Sequence, residues 1–99
     1  MISEILSVRI KPDTHVEFEA AMAAALPLFQ RARGCRSMRL ERSIEDPDGY
    51  RLVIGWETLE DHTVHFAASE ELQEFRRLAA GYVLPGGKVE HVQVVLAGF

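Results

Sequence analysis

The chain has 99 residues, 47% apolar and 26% charged, with 15 acidic against 11 basic side chains and a formal net charge of −4. That length supports one core and one domain, residues 1–99, and leaves no room for separate catalytic and cofactor domains. The mild acidic balance excludes a basic footprint for nucleic acid, and no apolar run is long enough to cross a membrane as a helix.

Residues 2–10, ISEILSVRI, alternate with Glu4, Leu6, Val8 and Ile10 on one side and Ile5, Ser7 and Arg9 on the other, the period of a half-buried strand. Pro12 and Asp13 stop it, and Phe18, Met22, Ala25, Leu26 and Phe29 then mark one face of a helix over about 13–33. Pro27 removes a backbone donor inside that helix, which predicts a kink or a restart there, and Gly34 ends it. Residues 35–44 alternate again, with enough charge to suggest an edge strand. The turn signal EDPDG leads to YRLVIGW at 50–56, apolar on both faces and so expected at the centre of a sheet covered on both sides.

Thr58, with Asp61 three residues on, reads as a shortened capping box. Ser69 repeats the signal before a helix whose face is Leu72, Phe75 and Leu78 and whose end is Gly81. After the loop YVLPGG a last strand is expected over KVEHVQVVLAG. The order β-α-β-β-α-β is that of a ferredoxin-like split βαβ sandwich, an α+β fold with one four-stranded antiparallel sheet and helices on one face. Such a sheet leaves its other face bare, and Val53 and Val95 are expected to point there, which predicts a homodimer through the sheet face. Cys35 is the only cysteine, so no intramolecular disulfide forms. The N-terminal run contains Glu4 and lacks the basic start of a signal peptide, and a cytoplasmic location is expected.

The combination of Gly34-Cys35, Asp46-Pro47 and then Trp56, Glu57, His65, Ser69 and Phe75 in WETLEDHTVHFAASEELQEF resembles the antibiotic biosynthesis monooxygenase family. The resemblance spans about residues 2–96 and rests on the order and spacing of motifs, above all a histidine nine residues after the strand-end tryptophan. It implies a dimeric α/β barrel with a pocket between sheet and helices in each subunit. It also implies oxygenation of a phenolic, quinol or anthrone-like aromatic by dioxygen, with no metal, flavin or other cofactor. Haem-degrading relatives carry a second tryptophan where this chain has His65, a ligating histidine where it has Phe75, and an asparagine in the first strand. This chain contains no asparagine, so that branch is disfavoured.

Chemistry of this kind needs a proton acceptor facing a dry aromatic pocket. His65 is the candidate acceptor, since a histidine accepts a proton near neutrality; its other reading is a structural pin at the helix junction. Trp56, Phe66, Phe75 and Tyr82 are the candidate walls for a small aromatic ligand, with Trp56 and Phe75 equally readable as core. Arg76 or Arg9 could hold an anion, and nothing in the sequence selects between them. His62 is expected to face solvent. His62, His65 and His91 lack any metal-binding signature, so no metal is expected. The alternative function is a dimeric barrel that binds a small apolar ligand, of isomerase or sensor type, without oxygen chemistry.

Overall fold

The computed structural model describes residues 1–99. Strand β1 (Ile2–Arg9) leads to helix α1 (His15–Arg31), then β2 (Cys35–Arg42) and β3 (Gly49–Trp56). A π-helical turn (Asp61–His65) runs into a 3₁₀ turn (Phe66–Ala68), followed by α2 (Glu70–Ala79) and β4 (Lys88–Val92). The strands form one antiparallel sheet in the order β2-β3-β1-β4, with the apolar β3 and β1 inside and the charged β2 at an edge, as their compositions predict.

One face of the sheet carries the core. Glu4, Leu6 and Val8 of β1 stand opposite Ile54, Leu52 and Tyr50 of β3, and α1 lays Phe18, Met22, Ala25 and Phe29 over them. Trp56, Phe18 and Phe29 are fully buried, each contributing roughly 2–3 kcal/mol by removal of its apolar surface from water. Phe29 stacks on Phe66 and meets the edge of Phe75, both with ring centroids 5.2 Å apart, which fastens α1 to the segment after β3.

Four expectations need correction. Leu26 is 40% exposed, and Leu28 is buried in its place. Leu26 borders the same surface groove as Met38 and Ser37 at the β2 edge, beyond which no element exists to cover it. Of the kink or restart expected at Pro27, the restart does not occur: helix α1 passes through Pro27 as one helix. The last strand is also shorter than expected: β4 stops at Val92, whose ladder partner Ser3 lies next to the start of β1, so residues 93–98 have no neighbour in the chain to pair with. Finally, the open face of the sheet is mixed rather than bare and apolar. The cross-strand pair Ile5–Val53 lies at its centre, and the charged residues Arg39, Glu41, Arg51, Lys88 and Glu90 share that face. Val95 is off the sheet altogether.

The junction after β3 is held by backbone constraints. Gly34 has φ +74°, and a Cβ on it would lie 2.0 Å from Oδ2 of Asp61. The Glu57 N–H donates to the Gly34 carbonyl at 2.7 Å. The predicted capping box forms in both directions, since the Thr58 N–H donates to Asp61 Oδ2 and the Asp61 N–H donates to Thr58 Oγ1, both at 3.2 Å. What it starts is a π-helical turn, a wide turn often found where side chains serve a site.

Candidate acid–base cavity

Between the sheet and the helices lies a cavity of about 600 Å³, large enough for a bi- or tricyclic aromatic molecule. Its walls are apolar: Leu6, Leu52 and Ile54 from the sheet, Phe18 and Met22 from α1, and Phe66, Leu72 and Phe75 from the segment after β3. Three ionisable side chains interrupt them, namely Glu4, His62 and Arg76.

Glu4 and His62 form one unit. Glu4 occupies an inward position of β1 and is 5% exposed. The Trp56 indole N–H donates to its Oε1 at 3.0 Å, and His62 Nε2 lies 3.3 Å from the same oxygen. Its other oxygen has no protein partner, yet no side-chain oxygen is both buried and unpaired, so that oxygen opens into the space Glu4 lines. The indole also fixes His62, whose ring stacks on Trp56 at 5.5 Å with planes 17° apart. At its far side His62 Nδ1 is 2.8 Å from Nε2 of His91, a hydrogen bond whose direction depends on the tautomers. His91 stands directly opposite Glu4 in the β1–β4 ladder, so pleat and register bring the three groups together from β1, the π-helical turn and β4.

Burial sets the protonation states. It raises the Glu4 carboxyl above the usual carboxylate range, partly opposed by the hydrogen bond from Trp56. It lowers His62, and the neighbouring His91 lowers it further. His62 is therefore a neutral imidazole at neutral pH, able to accept a proton, beside a carboxyl group more basic than one in water.

The sequence candidates are distributed differently from expectation. Phe66 and Phe75 line the cavity. Trp56 does not; fully buried behind His62 and Glu4, it positions both. Tyr82 packs at the edge of the core against Phe18, with ring centroids 6.4 Å apart, and is not a cavity wall. His65 ends the π-helical turn with its side chain exposed, outside the cavity, while His62, expected in solvent, turns inward; three residues along this turn separate the two sides. Between the two arginines, Arg76 borders the cavity, whereas Arg9 pairs with Asp46 near the β2–β3 hairpin. Sequence reasoning missed Glu4 and the meeting of His62 with His91. The signal for Glu4 was present, a carboxylate in line with Leu6, Val8 and Ile10 on the inward side of β1.

Comparison with known proteins gives consistent results. The family model for antibiotic biosynthesis monooxygenase matches residues 1–81. An uncharacterised protein of Bacillus subtilis, YczJ, is 37% identical over 95 residues, covering 96% of this chain and all of that one. A crystal structure of a candidate antibiotic biosynthesis monooxygenase from Bordetella bronchiseptica superposes with a TM-score of 0.93 at 45% identity, covering 96% of this chain and 97% of its own. SnoaB from Streptomyces nogalater, a cofactor-independent oxygenase crystallised as a point mutant, shares the fold with a TM-score of 0.79 at 13% identity, over 98% and 95% of the two chains.

Proposed function

Because the chain belongs to the antibiotic biosynthesis monooxygenase family, we infer that it is a monooxygenase that oxidises a phenolic, quinol or anthrone-like aromatic with dioxygen and needs no cofactor. The observation that carries this reading is the Glu4–His62 pair opening on an otherwise apolar cavity. The pair accepts the proton of an acidic hydroxyl or activated C–H, and the resulting anion is electron-rich enough to pass one electron to dioxygen. The radical and superoxide then combine at carbon. One oxygen atom stays as a carbonyl and the other leaves as water, so a phenol becomes a quinone and an anthrone methylene becomes a ketone without any outside reductant. The apolar walls keep water from protonating the anion before oxygen reaches it. Arg76, at the cavity border, supplies a positive charge that favours the anion.

His62, rather than His65, is the proton acceptor of this reading, because it alone of the two lines the cavity. The test is oxygen uptake with a panel of hydroquinones and anthrones. His62→Ala is expected to lower the rate by about 10²-fold or more, the usual cost of losing a general base, and His65→Ala to leave it unchanged. Uptake no faster than the uncatalysed reaction would return the protein to the non-oxidative, ligand-binding alternative. The working form in this reading is a homodimer, supported by the apolar stretch that follows β4. A cytoplasmic location fits the lone Cys35 and the absence of any helix long and apolar enough to cross a membrane.

A further inference from the structure

Glu4 and His62 account for taking a proton but not for disposing of it. A proton left on either group inside an apolar cavity would block the next turnover, and the only polar continuation from His62 is His91. His91 is exposed, on a strand whose five residues are all exposed and whose outer edge is unpaired. We propose that Glu4, His62 and His91 form a proton path from the cavity to solvent at the free edge of β4, with His91 as its outlet.

The geometry suits passage of one proton without any group turning over during the transfer; the Glu4 carboxyl and the His62 ring then turn over to restore the starting arrangement before the next. A carboxyl group can take a proton on one oxygen and release another from the second, and an imidazole does the same with its two nitrogens. Glu4 has one oxygen toward the cavity and Oε1 toward His62 Nε2 at 3.3 Å. His62 has Nδ1 toward His91 Nε2 at 2.8 Å. When Glu4 is in its protonated form, the form that burial favours, a substrate proton arriving on its open oxygen displaces the proton on Oε1 to His62 Nε2. The proton on His62 Nδ1 moves to His91 Nε2, and His91 gives up a proton to water. The substrate is left as its anion, Glu4 and His62 end neutral, and one proton enters solvent. Trp56 holds the inner two groups at fixed spacing by its hydrogen bond to Glu4 and its stacking on His62. The charged groups facing His62 are Glu4 from β1, His91 from β4 and, across the cavity, Arg76 from α2. His91 acts through His62 and is not in contact with substrate.

This rests on the acid–base role given to the cavity above, but its test does not require oxygen chemistry. With oxygen excluded, 4-nitrophenol serves as the cavity acid, and its deprotonation after a pH jump is followed by stopped-flow absorbance in weak buffer. His91→Gln is expected to slow deprotonation about tenfold, and added 4-methylimidazole to restore it, which repair of a folding defect would not do. Glu90→Gln, one residue away on the opposite face of β4, is expected to have no effect. Equal rates in the wild type and His91→Gln overturn the path. Independently, imidazole nitrogen NMR of the wild type and His91→Gln reads the contact itself: loss of the neighbouring imidazole is expected to raise the His62 pKa, and an unmoved His62 titration overturns the proposal. Failure of the monooxygenase reading would show only in oxygen uptake, so the two outcomes are separable.

Discussion

Glu4 is a carboxylate at a position where the strand period calls for an apolar side chain, and burying it costs free energy. Its folded pKa is raised above 4.5, so the folded protein holds that proton more tightly than the unfolded chain. The stability this contributes is fully present below about pH 4.5 and is lost as pH rises through the raised value. His62 has the opposite sign: its pKa is lowered from 6.5, so its contribution is present above about pH 6.5 and lost as pH falls through the lowered value. Glu4→Gln keeps an acceptor for the Trp56 indole and removes the ionisable group whose raised pKa costs stability as pH rises. It is expected to raise the Tm by a few degrees at pH 7 and by nothing at pH 4, as thermal unfolding at the two pH values will show; a lower Tm at pH 7 would mean that the carboxylate stabilises the fold. The same site shows where sequence reasoning stopped. The inward side of Phe75 was legible because its helical spacing with Leu72 and Leu78 marks a buried face, whereas nothing periodic marked Phe66. The choice between His62 and His65 was not legible, because it depends on which side of a π-helical turn faces the sheet, and a period of 3.6 says nothing of a turn that departs from it.

At the scale of elements, local signals carried well where the chain itself satisfies them. Ser69 caps α2 by accepting from the Leu72 N–H at 3.2 Å, Thr58 and Asp61 close their box, and the charged second strand lies at the edge. They failed where the outcome depends on what lies beside the element, as with Leu26 over the sheet edge and the shortened β4. The α1–β2 connection links both kinds of information. Gly34 supplies a left-handed φ of +74° and also the space into which the Asp61 carboxylate fits, so one residue sets both the entrance to β2 and the position of the turn that carries His62. Gly34→Ala must strain its own backbone and displace Asp61. It is expected to cost about 2–3 kcal/mol by urea unfolding. If the displaced turn takes His62 with it, the variant will also show a His62 titration closer to 6.5, since the ring loses its burial. A Gly34→Ala protein as stable as the wild type would mean that Asp61 gives way freely and that the junction is not a constraint.

For the molecule as a whole, the unresolved balance is at the C-terminal side of β4. Val94, Val95, Leu96 and Phe99 are almost entirely exposed, with Val95 at 96%, and the backbone that carries them has no ladder partner within the chain. An apolar run of this kind is unfavourable in an isolated subunit. A second copy would cover it, because two-fold symmetry gives each subunit the other's open sheet face and tail at once. Full burial of each of these four side chains is worth roughly 1.5–3 kcal/mol, and a dimer counts them twice, which is comparable with or larger than the roughly 4–15 kcal/mol cost of association. In such a dimer the pair Ile5–Val53 would supply an apolar centre for the contact, and the charges around it would favour one relative orientation over others. Sedimentation at micromolar concentration is therefore expected to give a dimer for the full chain and a monomer after deletion of residues 93–99. A stable monomer for the full chain would overturn the dimer, and a dimer that survives the deletion would place the contact on the sheet face alone.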